Sequence, residues 1–233
     1  MAKKDWKPKS THVVVMGLGL NDWADPDDPS WRRHATLADM FRKAGVPDEQ
    51  VTFVEDDDAT PKKMRKLLPK ILANADEDAL FVFYYAGHGG LDEEKDNEFY
   101  FVHPTVEDDA LYGHELIDML EEHYTGCYAV LLADCCYSGA LARKVEELDT
   151  EGWYAALTSA TSDIESTGNW TFTDCLLDAL RGAKAIDENG DGTITFQELA
   201  DYVVNRMETE ENQPSDYAYT SDFDPEFRLA LVR

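Results

Sequence analysis

Leu131-Leu132-Ala133-Asp134-Cys135-Cys136-Tyr137-Ser138-Gly139 is the stretch from which the fold is read. Val130 to Ala133 form an unbroken apolar run, the pattern of a strand covered on both faces. Asp134 interrupts the run, two cysteines follow, and Gly139 lets the chain turn. In open α/β sheets, ligands bind just past the carboxyl ends of the strands, so a thiol here faces a crevice. A second stretch has the same form. Ala79-Leu80-Phe81-Val82-Phe83-Tyr84-Tyr85-Ala86 is an apolar strand that ends in Gly87-His88-Gly89-Gly90. A thiol and an imidazole at the ends of two neighbouring parallel strands could reach hydrogen-bonding distance. The imidazole would then take the thiol proton and leave a thiolate able to attack a carbonyl. The glycines let that carbonyl approach and leave backbone N–H groups free to hold an oxyanion.

Taken singly, a strand-end Cys-Cys pair is usually two small buried residues and a lone histidine a turn residue. Their combination points further. Tyr85-Ala86-Gly87-His88-Gly89 together with Asp134-Cys135-Cys136-Tyr137-Ser138-Gly139 resembles the caspase-like cysteine peptidases, in the metacaspase branch. That family's D-x-C-x-S-G pattern puts the nucleophile at Cys136, not Cys135. The histidine stands 48 residues earlier (88 to 136), against about 50 in caspases. The resemblance spans residues 12–205.

The resemblance implies a caspase-like fold and a cysteine endopeptidase acting on protein or peptide substrates. Cys136 and His88 would form its dyad, and the backbone N–H groups of Gly89 and Cys136 its oxyanion hole. Asp134 would lie beneath the pocket for the residue before the scissile bond (P1). It would favour a basic P1, Arg and then Lys. Ser159 and Ala160 fall where the family lays its substrate along the sheet edge. There is one departure. The family draws a second acid from an Asn-Asp pair opening the first helix, twelve residues before the glycine that ends it. Counting back from Gly45 lands on Arg33. Asp22, in the preceding loop, is the candidate substitute. Arg32 or Arg33 lining a pocket for an acidic P1 is the alternative, and a non-catalytic, calcium-regulated adaptor is the rival from another class.

Residues 1–11 read as a polar tail and 12–233 as one domain. Strands are expected at 12–20, 51–54, 79–86, 130–133 and 153–157, with a short extended piece at 99–102 and a last strand at 227–232. Helices are expected at 35–44, from Thr60-Pro61 onward, and at 112–124, 140–147 and 170–180. Residues 91–97 read as an acidic loop. Strands alternating with helices make right-handed βαβ units, hence an α/β fold with a mostly parallel central sheet and helices on both faces.

Asp187-Glu-Asn-Gly-Asp-Gly-Thr-Ile-Thr-Phe-Gln-Glu198 fits the twelve-residue calcium loop throughout. Asp187, Asn189 and Asp191 take positions 1, 3 and 5, and Gly192 makes the turn at 6. Thr193 offers its carbonyl at 7, Thr195 acts through water at 9, and Glu198 is bidentate at 12. Only one copy is present, so Ca2+ here is expected to be structural rather than a switch.

The chain has 233 residues, with 21 Lys+Arg against 48 Asp+Glu and a net charge of −27. That argues against binding nucleic acid, which needs clustered basic side chains. Four cysteines at 127, 135, 136 and 175 form neither a disulfide framework nor a C-x-x-C zinc site. No signal-type segment or apolar run of membrane-spanning length is present, so a cytoplasmic protein with reduced thiols and no membrane contact is expected.

Overall fold

The structure is a computed structural model, and it describes residues 5–18, 32–103, 105–106 and 109–233. In chain order the elements are β1 (Thr11–Gly17), α1 (Arg33–Lys43), β2 (Val51–Glu55), α2 (Pro61–Leu72), β3 (Leu80–Ala86), β4 (His88–Asp92), β5 (Glu98–Val102), β6 (Leu111–Tyr112), α3 (Gly113–His123), β7 (Tyr128–Asp134), α4 (Gly139–Glu146), β8 (Trp153–Thr158), α5 (Thr171–Arg181), β9 (Thr193–Thr195), α6 (Phe196–Glu211), β10 (Asp216–Tyr219) and β11 (Arg228–Leu231).

Six strands make the central sheet, in the order β10-β8-β7-β3-β1-β2. All neighbours run parallel except β10, which pairs antiparallel with β8. The period of two along each strand divides the core. Val13, Val15, Val82, Tyr84, Val130 and Leu132 pack under α1, α5 and α6. Val14, Met16, Phe81, Phe83 and Leu131 pack under α2, α3 and α4. Burying both faces is what makes these strands near-continuous apolar runs. The expected α/β sheet with helices on both faces is therefore present. α2 begins as its sequence predicts. Thr60 accepts from the Lys63 N–H at 3.2 Å, and Pro61 sits in the first turn.

Three readings differ from the structure. His88 to Gly90, read only as the polar end of the preceding strand, opens a strand of its own, β4, which pairs antiparallel with β5 and so carries the glycines into a three-stranded sheet. Residues 91 and 92 belong to that strand rather than to an acidic loop. Residues 5–11 are tied down instead of trailing. The Trp6 N–H donates to the Arg228 carbonyl at 2.9 Å, and its ring meets Phe41 edge-on. Among the described residues, no helix is long and apolar enough to cross a membrane.

Candidate active site

The site is set by one register. β3 and β7 lie side by side and parallel, with Ala86 opposite Asp134, and the Gly87 N–H donates to the Asp134 carbonyl at 3.3 Å. His88 and Cys136 each stand two residues beyond this last paired position. β4 then runs close against the cysteine turn. A Cβ at Gly89 would collide with the Cys136 carbonyl oxygen and would sit 3.1 Å from the Cys135 Sγ, so only glycine passes there. Tyr85, fully buried, donates its hydroxyl to the His88 carbonyl at 2.7 Å and fixes the backbone that carries the imidazole.

The two cysteines diverge. Cys135 is 2 % exposed, and burial pushes its thiol well up, with the Asp134 carboxylate adding to the effect. Cys136 is half-buried. Tyr137 follows at φ 59°, a left-handed conformation that a non-glycine side chain adopts at a cost. Its N–H donates to the Ile164 carbonyl at 2.9 Å. Ser138 is buried and clips the turn to the end of β8: it accepts from the Ala160 N–H at 3.2 Å and donates to the Ala160 carbonyl at 3.4 Å. Gly139 is needed where the chain passes residues 161 and 162, because a Cβ there would lie 2.6 Å from the Ser162 nitrogen.

Asp134 closes β7 beside this turn. The Thr173 hydroxyl donates to its Oδ2 at 2.6 Å, and the Ser159 hydroxyl also bonds it. Tyr84 holds Thr173 in turn at 2.6 Å. Desolvation outweighs these donors, and the Asp134 pKa is pushed up to about 6. The two arginines weighed as an alternative wall are already matched by carboxylates. Arg33 meets Asp174 at 3.3 Å, and Arg32 meets Glu55 at 3.0 Å.

A strap of residues 163–167 passes beside Cys136. The Ser166 N–H donates to the Cys136 Sγ at 3.2 Å. The Tyr137 hydroxyl reaches Glu165 at 3.3 Å, and the Ser159 and Ser166 hydroxyls stand 3.3 Å apart.

The caspase domain profile of the peptidase families matches residues 34–223. The chain belongs to the caspase domain family. Among its curated relatives are metacaspase-4 of Arabidopsis thaliana, 23 % identical over 154 residues, and metacaspase-7 of the same plant, 29 % identical over 127 residues. Those matches cover 62 % and 50 % of this chain but only 37 % and 30 % of the relatives, so this caspase domain spans about a third of their length. Its fold is shared with the crystal structure of protein GSU0716 from Geobacter sulfurreducens, at a TM-score of 0.67 and 15 % identity, covering 96 % of this chain and all of that one.

The caspase domain brings His88, Gly89, Asp134, Cys136 and Ser159 together just past the ends of β3, β7 and β8. Asp22 lies outside the described residues. Ser159 and Ala160 are fully buried, and their backbone groups are used inside the chain: the Ser159 N–H by the Ala133 carbonyl, the Ser159 carbonyl by Gln213, and both Ala160 groups by Ser138. In this conformation they do not offer a substrate a free edge, contrary to the expectation for that segment. Thr173, Ser166 and Gln213 were not singled out from the sequence. Each is a common polar residue in no motif, and only the fold brings it beside these strand ends.

The loop at 187–198 is shaped by its own oxygens. Asp187 accepts from the N–H groups of Gly190 at 2.8 Å, Asp191 at 3.1 Å and Gly192 at 3.0 Å. Asn189 accepts from Asp191, and Asp191 from Thr193. Glu198 is buried and accepts from the Thr195 N–H at 2.9 Å, while Thr195 caps the first turn of α6. Among the described residues, no three His, Cys, Asp or Glu side chains are gathered closely enough to hold a metal ion. β9, inside this loop, pairs antiparallel with β11.

Proposed function

We propose that this caspase domain is a cysteine endopeptidase that cleaves proteins after a basic residue, Arg before Lys. The observation that supports the reading is the β3–β7 register: Ala86 pairs with Asp134, and His88 and Cys136 each follow two residues later. The Cys136 thiolate attacks the scissile carbonyl carbon. The charge that develops on the carbonyl oxygen is met by the N–H groups of Gly89 and Cys136. His88, having taken the thiol proton, gives it to the leaving amine, and water then cleaves the thioester to release the acid and restore the thiol.

Asp134 supports the choice of P1. An ionised carboxylate with a raised pKa is short of compensating charge, and a substrate guanidinium supplies a cation with a fork of donors. An acidic P1 would meet arginines already engaged with Asp174 and Glu55. A matched set of peptides with Arg, Lys or Asp at P1 tests this. Cleavage should fall in the order Arg, Lys, then Asp far behind, and preferential cleavage after Asp would overturn the pocket.

The titration of Asp134 has two readable consequences. Cleavage after Arg should fall as pH drops through about 6, through a rising KM. Asp134→Asn should lower cleavage after Arg about thirtyfold or more, roughly the cost of truncating one member of a buried charge pair, and should flatten that acid limb. For stability the sign is opposite. The folded pKa of about 6 lies above the ordinary 3.8, so ionisation of Asp134 destabilises the fold as pH rises from about 4 to 6. The ceiling is ~3 kcal/mol, reduced by the partial exposure of the strand end. Asp134→Asn should therefore raise Tm at pH 7.5, and by less at pH 4.5. No gain at pH 7.5 would mean that the carboxylate is well solvated.

For the loop at 187–198, the donor types suit calcium, and binding would require Asp187, Asp191 and Glu198 to draw together. Asp187, Asn189, Asp191, Glu198 and the Thr193 carbonyl are all hard oxygens, and a carboxylate oxygen accepting one N–H keeps further lone pairs. Calcium there would supply structural charge compensation and no part of the peptide-bond chemistry. Binding only the folded state at a hundredfold excess over Kd would stabilise it by about 2.7 kcal/mol. Millimolar calcium should raise Tm, and Glu198→Gln should remove the shift. Calorimetry showing no heat and no stabilisation would leave the loop as a capped turn.

A further inference from the structure

Beyond the dyad, a buried polar side chain beside the strand ends has no part in the chemistry written above. Gln213 follows the end of α6 and is 3 % exposed. Its Oε1 accepts from the Thr167 N–H at 2.6 Å. Its Nε2 donates to the Ser159 carbonyl and, at 3.2 Å, to the Ser166 hydroxyl. One amide thus holds three points around the strap, and every contact is made within the protein. Glu211, two residues earlier, grips the same segment by accepting from the Thr167 hydroxyl at 3.1 Å and the Asn169 amide at 2.7 Å. The strap held this way delivers a single group to the nucleophile, the Ser166 N–H at 3.2 Å from the Cys136 Sγ.

We infer that Gln213 is a positioning residue for Cys136: by fixing the strap, it aims the Ser166 N–H at the sulfur and stabilises the thiolate over the thiol. A backbone N–H directed at an anion is a charge-assisted hydrogen bond, stronger than one to the neutral form. A fixed donor also costs no reorganisation when the thiolate forms. The inference rests on Cys136 as the reactive thiol of the proposed peptidase, but its test does not require turnover. The ionisable groups around this sulfur are Tyr85 on β3, Cys135 and Tyr137 beside it in the turn, Asp134 on β7, His88 on β4 and Glu165 on the strap. Neither substitution below changes any of them.

The experiment is iodoacetamide alkylation of the full chain from pH 5 to 9. The Cys136 adduct is read by peptide mapping and Tm is measured alongside. Gln213→Ala should slow alkylation of Cys136 at pH 6.5 about tenfold and displace the rate profile to higher pH, as losing one hydrogen bond to a charged group implies. Ser166→Pro, which deletes the N–H itself, should do the same with Gln213 in place. Profiles superimposable on wild type in both variants overturn the inference, whatever happens to Tm. If Gln213→Ala does not fold, the Ser166→Pro profile decides in the same two ways. If the wild type alkylates as expected but cleaves no peptide, the peptidase reading fails while the role of Gln213 in tuning the thiol stands.

Discussion

Replacing Cys136 with alanine is expected to abolish amide cleavage, while Cys135→Ala keeps most of it. The two thiols are adjacent in sequence and opposite in environment. Cys135 points into the core, 2 % exposed, with its Sγ against the backbone at Gly89. Desolvation and the neighbouring Asp134 both hold it in the unreactive thiol form. Cys136 lies over the turn, half-buried, and its sulfur accepts an N–H from the strap. Removing the Cys135 sulfur leaves a small void beside Gly89 and should cost about 1 kcal/mol of stability, visible in Tm rather than in turnover. The assay is a fluorogenic peptide with Arg at P1. An active Cys136→Ala together with a dead Cys135→Ala would mean that the nucleophile has been misassigned.

His88→Ala should lower turnover by roughly 10²–10⁴-fold, the range for a positioned acid–base group. The imidazole has a defended position. Tyr85 bonds its carbonyl from the core, β4 pairs it with Val102 across the small sheet, and its register with the cysteine turn follows from β3 and β7. The loss should lie in kcat at least as much as in KM, because in the proposed mechanism the histidine acts on the leaving amine and not on the P1 side chain. Near-normal turnover in His88→Ala would remove it from the mechanism.

How far the sequence foretells this arrangement depends on how local each feature is. The apolar runs ending in Asp134 and Ala86 read as buried strands, and two motifs in the right order single out His88 and Cys136. β4 was obscured because three of the residues from 87 to 90 are glycine, which signals a turn. The need for glycine comes instead from the close passage of β4 by Cys136, a contact across 47 residues from Gly89 to Cys136. β10 has only a weak signal: Tyr217 and Tyr219 alternate as a half-buried strand should, but the run is four residues long. Gln213 and Thr173 were out of reach altogether. Nothing marks a glutamine after one helix, or a threonine in the first turn of another, until the fold sets them 54 and 14 residues from Ser159 in sequence but against it and Asp134 in space. The capping box of Thr195 and Glu198 is a related case. The same glutamate that completes the calcium loop pattern also caps α6, so its sequence position alone does not separate the two roles.

The measurement that tests the central claim most directly is labelling with a peptidyl chloromethyl ketone bearing Arg at P1, followed by peptide mapping of the adduct. The account predicts a single adduct on Cys136, absent in Cys136→Ala and formed much more slowly in Asp134→Asn. It would be contradicted by labelling at Cys135, or by no adduct where free iodoacetamide still alkylates Cys136.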